Sequence, residues 1–356
     1  MKNLAPLFVT FATAVFLSSC ARAPQYDVVL RNGSVCDGSG APCVAGGVAI
    51  DGDRIVAVGD LADARGKTER DVHDQTIAPG FINMMSAEWG LFVDGRSQSD
   101  IRQGVTLELF GEGESMGPLN DAMRAECEKQ ENDIYYDVTW HTLAEGLDTL
   151  ARRGISTNIA SFLGAATPRV NVLGRANRAP SPVELDRMRE ITAKAMEDGA
   201  LVSSALIYQP GTYAQTDELV ALAEVAARYH GIYISLIRNE GDREIEAIDE
   251  LISIARQAKI AAEIYHLKES GEKNWSRLPE VIRKVEEART AGLQITADMY
   301  TYTADATAAN QLIEQNFSQG SDLSELYSIK PKQDSIFRLY QSTRSDVAFE
   351  APVTKF

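Results

Sequence analysis

The stretch Thr76-Ile-Ala-Pro-Gly-Phe-Ile-Asn-Met-Met-Ser-Ala-Glu-Trp-Gly-Leu-Phe-Val-Asp-Gly95 separates two parts of the chain that have different sequence patterns. Pro79-Gly80 is typical of a turn, residues 81–85 are short and apolar like a buried strand, and a polar loop follows. The part before this stretch is rich in β-strand patterns, whereas the part after it alternates apolar strands with amphipathic helices. The stretch therefore predicts the start of the main domain.

Seven apolar segments of the main domain have the length and composition of buried strands. Helical patterns lie between them, and Ser181-Pro182-Val183-Glu184 is a capping box with proline at the first helical position. Repeated strand–helix units predict a parallel sheet, and seven of them favour an α/β fold of the (β/α)8 TIM-barrel type over a shorter doubly wound sheet. The predicted strands are residues 81–85, 105–111, 157–162, 202–208, 233–237, 262–266 and 293–299.

A small β-rich segment precedes the main domain. Apolar residues alternate over residues 26–58, Gly52-Asp53-Arg54 has the composition of a hairpin turn, and residues 72–77 could add a last strand. This pattern predicts a small N-terminal antiparallel sheet. The predicted domain boundaries are 1–19 for a signal peptide, 20–76 for the β segment, 77–308 for the barrel and 309–356 for an irregular, polar C-terminal segment.

The first 19 residues have the pattern of a bacterial lipoprotein signal peptide. Lys2 precedes an apolar run that is too short for a comfortable bilayer span, and Leu17-Ser18-Ser19-Cys20 resembles a lipobox. The cysteine of a lipobox is acylated and becomes the N-terminus, and Ala21 rather than Asp follows it here. We therefore expect a lipid anchor in the outer membrane, facing the periplasm. An ordinary signal peptide with an incidental cysteine is the alternative.

The chain is acidic and contains four cysteines. It has 35 Lys and Arg against 51 Asp and Glu, a formal net charge of −16 and no basic stripe, which excludes nucleic acid as an expected partner. Cys36 and Cys43 flank a turn-rich hexapeptide, and either a disulfide or two separate thiols fits this spacing. Cys127 lies in a charged helical stretch without the spacing of a metal site.

Five spaced motifs occur in an order that is typical of one enzyme family. They are Gln103-Gly104-Val105-Thr106, Tyr208-Gln209-Pro210-Gly211-Thr212-Tyr213-Ala214, Arg238-Asn239-Glu240-Gly241-Asp242-Arg243, His266-Leu267-Lys268 and Ala297-Asp298-Met299-Tyr300-Thr301-Tyr302-Thr303. Together with the start of the chain, they resemble the D-aminoacylase (N-acyl-D-amino-acid deacylase) branch of the amidohydrolase superfamily over about residues 26–304. The resemblance implies zinc-assisted hydrolysis of an N-acyl amino acid, which releases a carboxylate and a D-amino acid.

Most metal ligands of that family have no counterpart in this sequence. Met85 and Ala87 stand at the His-x-His positions of the first strand, and Gly113 stands at the position of a cysteine ligand. Leu236 and Ala165 replace two further histidines. The last-strand aspartate is expected beyond residue 356, as in a chain that is truncated relative to the family. Residues 336–340 or 346–351 could supply the eighth strand; otherwise we expect the chain either to fold poorly alone or to cover its open barrel edge in a homo-oligomer.

His266 stands where the resemblance places a ligand histidine, and two glutamates after the second strand could complete a zinc site at the barrel mouth. A core histidine and a solvated acidic loop are the structural alternatives. Glu88 could also line the mouth. The predicted site residues are Lys268 and Asp298 as catalytic groups, Arg238 and Tyr300 for substrate binding, and His266, Glu112 and Glu114 as metal ligands.

A second hydrolase motif lies in the same region. Gly113-Glu114-Ser115-Met116-Gly117 matches Gly-x-Ser-x-Gly directly after a strand, which is the setting of a serine nucleophile. That motif needs a helix that begins at once after the serine, but Gly117-Pro118 turns the chain away. Ser115 is therefore a minor alternative as the nucleophile.

The sequence leaves two main functions open. The first is a hydrolase of non-peptide C–N amide bonds that resembles N-acyl-D-amino-acid deacylases, because the five motifs agree. The second is a non-catalytic barrel lipoprotein that binds a ligand, because most of the metal ligands are replaced. Its expected partners are a small-molecule N-acyl amino acid and, through the lipid anchor alone, a membrane.

The lipobox makes the predicted localisation testable. We expect Cys20→Ala to abolish acylation and to move the protein from the membrane fraction to the soluble periplasmic fraction, because the cysteine carries the lipid. Fractionation and metabolic labelling with palmitate measure both effects. Labelling that persists in the variant, or membrane association that does not change, would contradict the lipoprotein prediction.

Overall fold

The computed structural model describes residues 25–130 and 136–300. The chain divides into two compact units between Gly80 and Phe81. The predicted leader with Cys20 and the predicted segment 309–356 lie outside the described residues. Within the described part, no helix combines the length and the apolar character that a membrane span requires.

The N-terminal unit is a five-stranded sheet. Three strands, in the order β3-β2-β1, run antiparallel to their neighbours, as the alternation of apolar residues predicted. β4 and β5 both pair with β1 in parallel, so the sheet is mixed and the prediction of a purely antiparallel sheet was wrong. The strands are β1 (Gln25–Val35), β2 (Val44–Asp51), β3 (Arg54–Gly59), β4 (Arg65–Asp71) and β5 (Thr76–Ile77).

The missed strand β4 explains this difference. Its sequence, Arg-Gly-Lys-Thr-Glu-Arg-Asp, is charged, and almost all of its residues are exposed at the sheet edge. Because such a strand buries no apolar face, alternation of apolar residues cannot reveal it. The small core of this unit consists of Val29, Ala49 and Ala64.

Cys36 and Cys43 form a disulfide in the loop between β1 and β2. Their Cα atoms are 4.4 Å apart and the bridge spans seven positions of sequence. The structure thus selects the disulfide over two separate thiols. Cys127 is a free, half-buried cysteine.

The second unit is built around a sheet of seven parallel strands in sequence order. Each strand overlaps one of the seven predicted segments, which confirms the strand predictions and the barrel fold class. The strands are β6 (Phe81–Asn83), β7 (Val105–Phe110), β8 (Asn158–Gly164), β9 (Leu201–Ala205), β10 (Ile232–Leu236), β11 (Ala261–Ile264) and β12 (Ile295–Ala297).

Helices connect successive strands of this sheet. The predicted capping box at Ser181 and Glu184 is present and begins the longest of them, α6. The helices are α1 (Glu88–Val93), α2 (Gln98–Ile101), α3 (Asp121–Gln130), α4 (Leu143–Arg153), α5 (Ala166–Leu173), α6 (Pro182–Glu197), α7 (Thr216–Arg228), α8 (Glu244–Ala258) and α9 (Leu278–Thr290).

The strands pack a different core on each face. Ile234 and Leu236 point to the inner face of the curved sheet, where they pack with Phe162 and Tyr265. Tyr233, on the same strand, belongs to the larger core between the sheet and the helices. This alternation is expected of a barrel strand, whose successive side chains point to opposite faces.

The disulfide leads to a stability prediction for the N-terminal unit. The double substitution Cys36→Ser/Cys43→Ser should lower the unfolding free energy of this unit by about 2 kcal/mol, because closing the short loop restricts the unfolded chain. Hydrogen exchange of the β1 and β2 amides measures this change. Cys127→Ser is the matched control and should leave these amides unaffected. Equal protection in the double variant and the wild type would contradict the prediction.

Candidate active site

A group of charged side chains lies just beyond the carboxyl ends of the barrel strands. Glu112 follows β7, Glu240 follows β10, His266 and Lys268 follow β11, and Asp298 follows β12. Because the carboxyl ends of parallel strands meet at one end of a barrel, the fold brings these residues together. We call these five residues the mouth cluster.

Lys268 is at the centre of the mouth cluster. Its Nζ is 2.7 Å from Glu240 Oε1 and 2.9 Å from His266 Nδ1. His266 Nδ1 is itself 3.0 Å from the same oxygen of Glu240. All three side chains are at least 85% buried, with exposures of 15% for Lys268, 12% for Glu240 and 11% for His266. Buried charges are stable only when they are paired, and these three groups supply one another's partners.

The backbone of β11 and β12 fixes this arrangement. His266 has a φ of 33°, in the left-handed region, so the chain turns sharply at the end of β11. Its backbone N–H donates to Asp298 Oδ1 at 2.6 Å, and the N–H of Leu267 donates to the Asp298 carbonyl at 3.1 Å. Asp298 thereby holds the turn that presents His266 and Lys268.

The carboxyl groups of the mouth cluster have shifted pKa values. Burial raises the pKa of Glu112 to about 7, against an opposing effect of the charge on His266. Burial also raises the pKa of Asp298, although the hydrogen bond from the His266 backbone lowers it. For Glu240, burial acts upward, but the hydrogen bond from His266 and the charge of Lys268 outweigh it and lower the pKa. Glu112 can therefore exchange a proton near neutral pH, as a general acid–base group must.

Tyr300 lies beside this cluster, as predicted. Lys268 Nζ is 5.6 Å from the centre of its ring, and the His266 ring is 6.2 Å away. An ammonium at this distance from an aromatic face is attracted by it. The structure thus brings together five of the predicted site residues, which are Glu112, His266, Lys268, Asp298 and Tyr300.

Two of the predicted site residues have partners elsewhere. Glu114 pairs with Arg175 at 2.8 Å, and 39% of its side chain is exposed. Arg238 makes a bidentate contact with Glu250 at 2.9 and 3.0 Å, and it donates to the Ala214 carbonyl in the loop after β9. In this structure Arg238 therefore stabilises the loop after β9. Its role in substrate binding stays a prediction. Glu88 lies at the start of α1, where burial raises its pKa.

The structure does not support Ser115 as a nucleophile. Only 7% of the residue is exposed, and its hydroxyl donates to the Gly117 carbonyl at 2.7 Å. Its backbone N–H donates to Thr167 Oγ1, also at 2.7 Å. The next helix begins at Asp121, six residues later, so no helix amides follow the serine directly. Ser115 is a structural residue that joins the loop to α5.

Sequence analysis did not single out three carboxyl groups of this region, which are Glu240 within the mouth cluster and Glu244 and Glu269 beside it. Glu240 lies inside one of the quoted motifs, so its position was the available signal. Glu244, at the start of α8, is 1% exposed. Burial is the main cause that raises the pKa of Glu244 to about 10, and the neighbouring carboxyl group of Glu269 adds to it. This pair of carboxyl groups therefore retains a proton at neutral pH. Glu244 and Glu269 come together only in the folded chain, so the local sequence does not reveal that they pair.

The residues of the mouth do not fit a zinc centre of the family type. Among the described residues, no group of three or more His, Cys, Asp or Glu side chains could hold a metal ion. Leu236, at the position of a ligand histidine, packs in the core on the inner face of the sheet. His266 Nδ1 and Glu240 Oε1 are close enough to share an ion, but both contact the Lys268 ammonium. The predicted zinc ligands His266, Glu112 and Glu114 therefore do not form one site.

The parallel sheet, with charged groups beyond the carboxyl ends of its strands, has the architecture of a TIM barrel. The chain is 31% identical over 290 residues to a D-aminoacylase of Alcaligenes xylosoxydans xylosoxydans, covering 80% of this chain and 59% of that protein. It is 30% identical over 305 residues to an N-acyl-D-glutamate deacylase of the same organism, covering 84% and 61%. No family model matches the chain.

Solved structures agree with these sequence relatives. A D-aminoacylase structure superposes with a TM-score of 0.69 at 28% identity, covering 79% of this chain and 59% of that one. An N-acyl-D-glutamate deacylase from Bordetella bronchiseptica, complexed with zinc and a phosphonate inhibitor, gives a TM-score of 0.67 at 28% identity and the same coverage. The chain is therefore a homologue of D-aminoacylase and of N-acyl-D-amino-acid deacylases and has structural neighbours of the D-aminoacylase amidohydrolase fold, and it spans about three fifths of the length of the relatives it matches.

The Glu244–Glu269 pair predicts how stability changes with pH. Below the pKa that Glu244 has in the unfolded chain, its carboxyl group is protonated in both the folded and the unfolded state. At higher pH the carboxyl ionises only in the unfolded state. The free energy of unfolding therefore falls as the pH rises, up to the folded-state pKa of about 10. The free energy of unfolding of Glu244→Gln, taken relative to that of the wild type, should therefore increase by more than about 1 kcal/mol between about pH 5 and pH 9. Thermal unfolding at both pH values measures this. Glu246→Gln, an exposed residue of the same helix turn, is the control. A pH-independent difference would contradict the assignment.

Proposed function

We propose that the protein is an amide hydrolase that binds N-acyl-D-amino acids at the barrel mouth. The observation that carries this proposal is the mouth cluster, which places proton-transferring and cationic groups at the strand ends, where TIM-barrel enzymes hold their active sites. The relatives support the chemistry, since they are named D-aminoacylase, N-acyl-D-glutamate deacylase and N-acyl-D-aspartate deacylase. These three names share an N-acyl-D-amino acid and differ in its side chain.

Glu112 is the residue that we assign to proton transfer. With its pKa near 7, it can accept a proton from the water that attacks the amide carbon and return one to the departing amine. One oxygen of this carboxyl, Oε1, is buried and has no hydrogen-bond partner within the described residues. A buried oxygen of this kind is available to a bound substrate or water.

Lys268 is assigned to charge stabilisation. As the amide carbonyl is attacked, its oxygen becomes negative, and a buried ammonium stabilises that charge more strongly than solvent would. His266 and Glu240 hold the Lys268 side chain in place. Asp298 acts through the backbone, because it fixes the turn at His266. No step of this proposal passes through a metal ion.

Binding without hydrolysis is the second candidate function. The observation that favours it is the replacement of the family's ligands by Met85, Ala87, Gly113 and Leu236. A barrel that has lost these ligands can still recognise the amide and the carboxylate of an N-acyl amino acid. The two candidates differ in whether an amine is released.

We also propose that the protein works in the periplasm, anchored to the outer membrane through Cys20. The lipobox pattern supports this location. The disulfide between Cys36 and Cys43 is consistent with it, because disulfides form and persist in oxidising compartments.

An assay with N-acetyl-D-amino acids tests the hydrolase proposal. We expect wild-type protein to release the free amine from D-amides rather than L-amides, and Glu112→Gln to reduce the rate by at least about 100-fold while KM changes little. Glu114→Gln, two residues away in a surface ion pair, is the matched control and should keep its activity.

Calorimetry on the same compounds separates the two candidate functions. D-amides that bind to wild-type protein without releasing amine would establish the binding function. If no N-acyl derivative in a panel of acidic and apolar D-amino acids is bound or hydrolysed, both candidate functions are contradicted.

A further inference from the structure

Two buried carboxyl groups outside the mouth cluster have no hydrogen-bond donor in the part of the chain that the structure describes. Glu244 is the first residue of α8, and Glu269 lies in the loop after β11. Glu244 is 1% exposed, and both carboxylate oxygens of each residue are buried without a donor. The two carboxyl groups are close enough to share a hydrogen when one of them is protonated. Four acceptor oxygens therefore lie together in a place that water does not reach freely.

The chain segments that carry these two acids are held together by other contacts. The Ser270 backbone N–H donates to the Glu240 carbonyl at 2.7 Å. Asn274, which is 3% exposed, donates to Asp242 Oδ1 at 3.0 Å, and Lys273 Nζ is 2.7 Å from Asp242 Oδ2. The loop after β10 and the loop after β11 are therefore fixed relative to each other. Moving the two acids apart would break these contacts.

The charged groups around the pair do not neutralise it. Besides Glu269, the side chains whose charges act on Glu244 are Glu240, which is a further acid, and Lys268. Lys268 Nζ is 2.7 Å from Glu240 Oε1, so these two side chains already form an ion pair. Two carboxylates in a buried place repel each other unless a proton or a cation lies between them. Within the described residues, Glu244 and Glu269 are thus left without a counter-charge of their own.

The ligand atoms decide which cation fits this place. Carboxylate oxygens bind the hard cations Ca²⁺ and Mg²⁺, whereas Zn²⁺ is mostly held by histidine and cysteine. Among the described residues, no third His, Cys, Asp or Glu side chain joins the pair to complete a metal-binding group. Two bidentate carboxylates supply four of the about six to eight oxygens that Ca²⁺ takes in irregular geometry, and backbone carbonyls and water commonly supply the rest. Mg²⁺ requires a more regular octahedron. Calcium therefore fits these ligands best.

We propose that Glu244 and Glu269 form a binding site for one calcium ion, which joins the start of α8 to the loop after β11. The site is independent of the proposed hydrolase function, because neither acid has a part in it. A proton competes with the ion, since protonation of either carboxyl group removes the charge that binds calcium. Calcium affinity should therefore rise with pH, over the range in which the unoccupied pair destabilises the wild-type fold.

Thermal unfolding of the purified full-length protein, with calcium or with the chelator EGTA, tests this site. At pH 8 we expect about 5 mM CaCl₂ to raise the Tm of wild-type protein by at least about 2 °C over its value in EGTA. The shift should be smaller at pH 6, where the proton competes more strongly. Glu244→Gln and Glu269→Gln should both lose the shift, because each removes one of the two anionic ligands. Calorimetry should show one calcium ion per wild-type chain and none in either variant.

Two further variants serve as controls. Glu246→Gln, an exposed residue of the same helix turn, removes an equal charge and should keep the full calcium shift. Glu112→Gln separates this site from the mouth cluster and should also keep the shift. No calcium shift of wild-type protein at pH 8 would overturn the proposal, and so would a shift that persists in Glu244→Gln or Glu269→Gln. If circular dichroism shows that one of these two variants is unfolded, the other decides.

Discussion

The common direction of the seven barrel strands is the constraint on which the rest of this structure depends. The polar residues that follow different strands lie far apart along the chain, yet the carboxyl ends of all strands of a parallel sheet meet at one edge. Residues that are separated by almost 190 positions, from Glu112 to Asp298, therefore become part of one electrostatic system. The same geometry explains why apolar side chains of several strands meet on the inner face, since alternate side chains fill the barrel.

The barrel unit contains buried charged side chains in two places, and their pairing differs between the two. Between α5 and α7, Arg169 and Glu218 form a nearly fully buried pair at 2.5 Å, and Arg169 also donates to backbone carbonyls. One cation meets one anion there, which is a structural solution. At the mouth, one lysine and one histidine face several carboxyl groups, two of which have raised pKa values. An imbalance of this kind is typical of functional sites, because it leaves groups poised to change protonation.

Relationship to the D-aminoacylase branch and retention of its metal chemistry are separate properties of this chain. The relationship is carried by the order of strands and by motifs distributed along the barrel. Metal chemistry depends on a few side chains, and substitutions such as Leu236 change those without disturbing the strand that carries them. An apolar side chain at that position strengthens the inner core. The fold can therefore persist while the chemistry of its mouth changes, since function lies in the site and not in the scaffold.

The sequence by itself determined the seven strands, the helices between them and the fold class, because local apolar periodicity reports which segments are buried. It also indicated five of the residues that meet at the mouth, since each lies just after a predicted strand or within a quoted motif. Only the tertiary structure decided that Arg238 and Glu114 pair with Glu250 and Arg175. The parallel strands β4 and β5, the Cys36–Cys43 bridge and the Lys268–Glu240–His266 contact were likewise decided by packing. The strand directions and the contacts between different loops depend on residues that are far apart along the chain, which local spacing does not encode. For Cys36 and Cys43, only seven positions apart, the spacing allowed a bridge without deciding it.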